Sequence, residues 1–298
     1  MSDQPTLRQL EYLVALAEHL NFRRAAEACY VTQPTLSNQL KELESVLGVQ
    51  LFERDKRRVL ATPAGEQLTK RAREVLRGVA DLVDQAHSFS APLSGPLRLG
   101  VIPTIAPYLL PGAMPRLRER FPQLQLYLWE DHTDRLLTRL AEGQLDLLLL
   151  AREAELGDVS LMDLFRDPFL LAAPHDHPLA KRKRVRQADL DGERLVLLQE
   201  GHCLRAQALT LCSTRGAGES REFQASSLST LIQTVAAGSG ITLLPKIALG
   251  VEGHPDRGLS FVPFSKPEPA RTISLAWRRS SPREAEFKAL GKELAKRT

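Results

Sequence analysis

The hydrophobic period of the chain changes once, near residue 91, and that change limits the fold more than any other feature. Before it every periodicity is helical. After it, apolar runs of strand length alternate with helical stretches. The two patterns need different layer architectures, so the sequence predicts two bodies joined across Ser88 to Pro96, SFSAPLSGP, whose Ser, Pro and Gly give it linker composition. The boundaries fall at 1–62 for a helical N-terminal domain, 63–91 for a long connecting helix and 92–298 for an α/β domain. At 43% hydrophobic and 26% charged residues, with mean hydropathy -0.21, the composition is that of a water-soluble globular protein. No apolar run approaches the roughly 18 residues of a membrane span, so no membrane partner is expected. The opening residues MSDQPTLRQL carry neither a basic stretch nor an apolar one, which predicts a cytoplasmic protein with reduced thiols. Three cysteines, an odd number, do not make a disulfide framework.

In the N-terminal part, Leu7, Leu10, Leu13 and Val14 begin one amphipathic helix, and Asn21 is placed to cap a second that contains Ala25, Ala26 and Cys29. After the short connection Tyr30 to Gln33 a third helix starts, capped by Thr32 or Gln33, with Pro34 in its first turn where a missing N–H costs nothing. This is a helix-turn-helix pattern. Leu36, Leu40, Leu43 and Leu47 form the inward stripe of the third helix, which turns Asn38 and Lys41 outward and sets Thr35 and Ser37 on the flanks. Phe52 to Val59 reads as a hairpin wing with four cations. Net charge does not carry a nucleic-acid reading. Residues 1–91 hold 12 basic and 12 acidic side chains, and the overall surplus of +4 lies in the rest. Local placement must carry it instead. The residues assigned to double-stranded DNA are Arg23, Thr32, Gln33, Pro34, Thr35, Ser37, Asn38, Lys41, Arg54, Lys56 and Arg57, with Thr35 and Asn38 set against bases and the wing cations on phosphates.

From Pro63 the apolar residues Leu68, Ala72, Val75, Val79, Leu82 and Ala86 follow 4-3-4-3-4 spacing, a seam that calls for a partner helix and hence a homo-oligomer. Beyond the linker, strands are expected at 97–101, 124–129, 145–150, 195–198, 221–225, 241–244, 259–262 and 272–277. Helical stretches lie between most of them, which predicts mainly parallel sheets. The strands fall into two clusters, before about 166 and after about 167, around a cleft.

Leu10 to Leu13, Asn21 to Ala26, Val31 to Ser37, Leu43-Glu44, Leu47-Gly48, Leu51 to Arg54 and Thr62 to Gly65 together resemble the winged helix-turn-helix of LysR-type transcriptional regulators. Gly100 to Thr104, Pro107 to Pro111, Gly201 to Arg205, Cys212 and Ala236 to Pro245 resemble the peroxide-sensing members of that family, so the resemblance runs essentially end to end. It implies a periplasmic-binding-protein-like regulatory domain, with subdomain I at about 92–166 and 269–298 and subdomain II at about 167–268. It further implies a dimer or tetramer, RNA polymerase as a partner and hydrogen peroxide as the signal.

The chemistry centres on Cys203 and Cys212. Leu204, Ala208 and Leu211 have helical spacing, so a helix is expected from near Gly201. Nine residues of helix are about 13.5 Å of rise and about 900° of rotation, which leaves the two cysteines on opposite faces. A disulfide needs Cα atoms within about 7 Å. If the two bridge, the helix must unwind, and Arg215 to Gly218 is a loop of loosening composition. Cys203 is the better nucleophile, since a helix N-terminus, His202 and Arg205 would favour its thiolate. Read alone, the spacing leaves open two inert buried thiols. The resemblance implies the redox pair, with Cys212 resolving, and adds Thr104, Thr133 and Arg271 as groups near the peroxide. One position departs from the family pattern: Ala206 stands where relatives carry Asp, so a charged hydrogen-bond partner is missing there.

Three motifs are set aside. Gly238-Ser239-Gly240 follows a helix and precedes a strand, the reverse of a phosphate loop. His175-Asp176-His177 has no third ligand in prospect, so neither a metal nor a cofactor is expected. Lys181 to Arg186 reads as a solvated loop. Two other functions fit parts of the pattern: a regulator of the same fold that binds a metabolite in the cleft, and a thiol peroxidase, which would have no use for a helix-turn-helix.

Overall fold

The structure is a computed structural model that describes residues 4–54, 59–88, 93–152, 156–212, 218–254 and 258–296. Residues 89–92 of the expected linker, Lys56 and Arg57 of the wing, and Arg215 to Ala217 of the expected loop lie outside the described residues. The chain divides into two units, Met1–Ala86 and His87–Thr298.

In the first unit, α1 (Leu7–His19), α2 (Phe22–Ala28) and α3 (Gln33–Leu47) pack around Leu13, Leu16, Ala25, Leu36, Leu40 and Leu43, all fully buried. Thr6 and Gln9 make a reciprocal capping box on α1, and the Asn21 side chain accepts from the Arg24 amide to start α2. Thr32 is the N-cap of α3 and Pro34 sits in its first turn. β1 (Phe52–Arg54) and β2 (Val59–Ala61) pair antiparallel as the wing. The Thr62 hydroxyl then accepts from the Gly65 amide to begin α4 (Pro63–Ser88). Gly65 is required there, because a Cβ would overlap the Leu51 carbonyl. Along α4, Leu68 and Ala72 join the core, whereas Val75, Val79 and Leu82 stay exposed.

The second unit holds β3 (Gly95–Val101), α5 (Ala106–Arg120), β4 (Leu124–Glu130), α6 (Thr133–Ala141), β5 (Leu147–Ala151), β6 (Val159–Pro174), β7 (Arg194–Leu198), α7 (Cys203–Cys212), β8 (Gly218–Ala225), α8 (Leu228–Ala236), β9 (Thr242–Pro245), α9 (Leu249–Glu252), β10 (Leu259–Pro263), β11 (Ala270–Arg278) and α10 (Glu284–Leu294). Its main sheet runs β10-β6-β11-β5-β3-β4, with β9 also on β6. The expectation of mainly parallel sheets is corrected here. Only β3 pairs parallel within this sheet, with β4 and β5, and every pairing of β6 and β11 is antiparallel. The cause is β6, a 16-residue strand absent from the sequence-based expectations. Its first half lies along β11, and its second half along β9 and β10. One apolar cluster gathers around β3, β5, β11 and α10, and a second around the end of β6, β7, α8 and β9. Helix α7 serves both: Cys203 packs into the first cluster, Leu204 and Ala208 into the second. No helix among the described residues is long and apolar enough to cross a membrane.

Candidate functional site

The site is assembled at the start of α7. Gly201, in left-handed conformation at φ 91°, ends the approach to the helix, and His202 and Cys203 follow, both buried. A Cβ at Gly201 would come within 2.5 Å of His132 Nδ1, so glycine is needed for a second reason. His132 is the N-cap of α6, and its ring lies 4.2 Å from that of His202, centroid to centroid. A pocket of about 240 Å³ opens beside them, lined by Thr133, Asp134, Glu200, Cys203, Arg205 and Ala206 among others. The Thr133 hydroxyl is buried and has no hydrogen-bond partner among the described residues. Leaving a buried hydroxyl unmatched costs about 1–3 kcal/mol. Arg205 Nη1 donates to the Leu198 carbonyl at 3.2 Å, which holds its guanidinium at the pocket wall.

Burial, reinforced by the neighbouring His132, pushes the His202 imidazole below its ordinary value, against an opposing backbone hydrogen bond at Ser226. A lowered imidazole favours the uncharged ring, so a charge beside Cys203 is better supplied by the other groups there. The helix N-terminus and Arg205 remain as the electropositive neighbours. Cys212 closes the same ten-residue helix that Cys203 opens. Cys29 is buried in the first unit's core, and burial raises its thiol above the ordinary value.

Thr104 and Arg271 come together in a separate cluster. The guanidinium donates from Nη1 to Thr104 Oγ1 at 2.8 Å, from Nη2 to the Thr104 carbonyl at 2.9 Å and from Nε to Asp167 Oδ2 at 3.0 Å. Asp167 also accepts from the Ile247 amide. All three side chains are buried. Arg271 lines a second pocket of about 420 Å³ with Gln207, Thr210 and Ala206, and Ala206 borders both pockets. Sequence reasoning missed His132, Asp134, Glu200, Asp167 and Gln207. His132 and Asp167 reach the site through partners distant in the chain, whereas Asp134, Glu200 and Gln207 stand beside residues already singled out but carry no motif of their own. Two of them, Asp134 and Glu200, are acidic residues that line the pocket together with Ala206.

On the first unit, Arg23 of α2, the N-cap Thr32, and Gln33, Pro34, Thr35, Asn38 and Lys41 of α3 are exposed, and Ser37 is half-buried. Arg23 pairs with Glu27 at 3.0 Å. Arg54 ends β1.

Two family models divide the chain between them: the bacterial regulatory helix-turn-helix protein of the lysR family matches residues 7–66, and the LysR substrate binding domain matches residues 90–298. The chain belongs to the LysR family. It is 49% identical over 291 residues, 98% of its length and 95% of the relative's, to the DNA-binding transcriptional dual regulator OxyR of Escherichia coli K12. It is 50% identical over 284 residues, covering 95% of this chain and 93% of the relative, to a hydrogen peroxide-inducible genes activator of Dickeya chrysanthemi. A full-length OxyR variant from Pseudomonas aeruginosa has the same fold at a TM-score of 0.78 and 38% identity, covering 98% of this chain and 95% of that one. LysR-family regulators are transcription factors, and the helix-turn-helix of this chain spans the matched segment.

Proposed function

We propose that this LysR-family protein is a DNA-binding transcriptional regulator of oxidative-stress genes, switched by hydrogen peroxide through Cys203 and Cys212. The observation that carries the reading is the placement of both cysteines at the two ends of one short helix, with Cys203 beside a pocket that holds an unpaired buried hydroxyl. The relatives named above are a DNA-binding regulator and a peroxide-inducible activator, which supports the same signal and the same target.

In this reading the Cys203 thiolate, favoured by the helix N-terminus and Arg205, attacks one peroxide oxygen. The O–O bond breaks, the other oxygen leaves as hydroxide and takes up a proton to become water, and Cys203 is left as sulfenic acid. The Thr133 hydroxyl donates to the peroxide from one side, and the Thr104–Arg271 pair bounds the site from the other across Ala206. The Cys212 thiolate then attacks the Cys203 sulfur. The S–S bond forms, and the sulfenic oxygen leaves as hydroxide and is protonated to water. One peroxide is reduced to two waters and two thiols are oxidised to one disulfide. A ten-residue helix holds its ends about 13.5 Å apart and a disulfide about 7 Å at most, so α7 unwinds when the bridge forms. Because α7 contributes to both apolar clusters, its unwinding alters the packing of each.

DNA is read by residues 1–62, with Thr35 and Asn38 on bases and Arg54, Lys56 and Arg57 on phosphates. Residues 63–91 pair two copies through Val75, Val79 and Leu82, in a dimer or a tetramer. Residues 92–298 sense peroxide and alter contact with RNA polymerase in the cytoplasm. A mass spectrum of the non-reduced protein after one equivalent of peroxide tests the chemistry. The expected product is an intramolecular Cys203–Cys212 peptide bridge, and Cys212→Ser is expected to stop at sulfenic acid on Cys203. Unmodified Cys203 in the wild type would overturn the reading.

A further inference from the structure

Tyr30 stands out on the first unit because its backbone and its side chain are both placed at a cost. It occupies the left-handed region at φ 56°, a conformation that helix ends normally give to glycine or asparagine. Around it the chain is fixed: the Tyr30 amide donates to the Glu27 carbonyl at 3.1 Å, the Val31 amide to Ala26 at 3.0 Å, and Arg8 Nη2 to the Cys29 carbonyl at 2.7 Å. Arg8 is itself anchored, since its Nε donates to the hydroxyl of buried Tyr12. The ring gains nothing from the fold in return, being 95% exposed. Leu20, the left-handed cap of α1, is 46% exposed, about half as much. A glycine at position 30 would serve the turn better, so the tyrosine side chain has a use outside the fold.

Its position supplies the partner. Tyr30 lies three residues before Gln33, within about 11 Å of chain, at the N-terminal end of α3, where Thr32, Gln33, Pro34 and Asn38 are exposed together. We propose that Tyr30 is a DNA contact, its phenol donating a hydrogen bond to a backbone phosphate beside the groove that α3 enters, and that the pinned turn holds the ring in register for it. Resting on the DNA-binding function proposed above, the contact differs in kind from the wing cations. A phenol is neutral and releases no counterion, so it fixes orientation without contributing to the salt dependence.

The test uses the full-length protein and its Tyr30→Phe and Tyr30→Gly variants. Binding is measured by fluorescence anisotropy over a range of salt, on a duplex selected by the wild type from a random pool and on one random-sequence duplex. Tyr30→Phe is expected to weaken both duplexes by about tenfold, the worth of a hydrogen bond to a charged acceptor, with an unchanged slope of log K against log salt. Tyr30→Gly is expected to weaken both at least as much while hydrogen-exchange protection of the α2 and α3 amides holds or rises, because glycine relieves the turn. Wild-type affinity in both variants would overturn the contact. So would a loss confined to Tyr30→Gly with lower protection, which would make Tyr30 structural. Unchanged DNA affinity with reduced transcription in a purified system would also overturn it and assign the ring to a protein partner. A wild-type chain that binds neither duplex would remove the DNA-binding reading itself, an outcome distinct from the rest.

Discussion

Arg271 and Thr133 are both buried and both border pockets beside α7, yet their surroundings obey different rules. Arg271 is tied to Thr104 and Asp167 by three hydrogen bonds, and its pairing with Asp167 joins β11 to β6 where the long strand passes from one apolar cluster to the other. Thr133 lines the pocket that Cys203 also lines, and its buried hydroxyl has no partner among the described residues. The first arrangement is closed and holds a crossing; the second leaves one hydroxyl unmatched, where the proposed function seats peroxide. Buried polarity of similar appearance thus separates into a structural part and a chemical part according to whether its hydrogen bonds are already made.

The largest effect is expected at the closed cluster. Arg271→Ala leaves Asp167 buried beside no cation and is expected to lower stability by about 3–5 kcal/mol, measured by urea unfolding. The double substitution Arg271→Met with Asp167→Leu, which removes both charges and keeps the apolar volume, is expected to recover most of that loss. A cost below about 1 kcal/mol for Arg271→Ala would show that the crossing does not depend on the pair. At the open cluster the sign reverses. Thr133→Val removes a hydroxyl that has no partner, so stability is expected to hold or rise by about 1 kcal/mol, while oxidation of Cys203 by peroxide slows about tenfold. Thr133→Ser keeps the rate. Equal oxidation rates in Thr133→Val and wild type would place peroxide elsewhere.

The smallest effect is a pH dependence. The His202 imidazole titrates below its ordinary value near 6.5 in the folded protein. Below that ordinary value the unfolded chain binds a proton that the folded chain resists, so stability falls as pH drops through the window between the two values and is level above it. His202→Gln is expected to flatten that fall in urea midpoints taken between about pH 5.5 and 8. An unchanged slope would assign the dependence to another group.

The closed and open clusters are also unequally legible in the sequence. Cys203, His202 and Arg205 are neighbours along the chain, and the spacing of Leu204, Ala208 and Leu211 marks α7 with the thiols at its ends. Some of its surroundings are remote: His132 lies 70 residues before His202, so nothing local announces the ring that adds to burial in pushing the His202 imidazole down. Asp167 is the plainest case. With Asp163, Arg166 and Pro168 beside it, it reads as a break in the hydrophobic pattern, which hides the strand from Val159 to Pro174. Its charge is met by Arg271, 104 residues on and facing it across the sheet, and by the Ile247 amide. With that strand hidden, the remaining alternation of strands and helices points to parallel sheets. The N-terminal helices are legible for the opposite reason, since their caps and leucine stripes are local.

The central claim is that the α7 helix and the Cys203–Cys212 bridge exclude each other. Hydrogen exchange of the α7 amides, measured on full-length protein before and after one equivalent of peroxide, tests it directly. Slow exchange across Cys203 to Cys212 in the reduced protein, lost in the same molecules that carry the bridge, is the result this account requires. A bridged protein whose α7 amides stay as protected as before would contradict it.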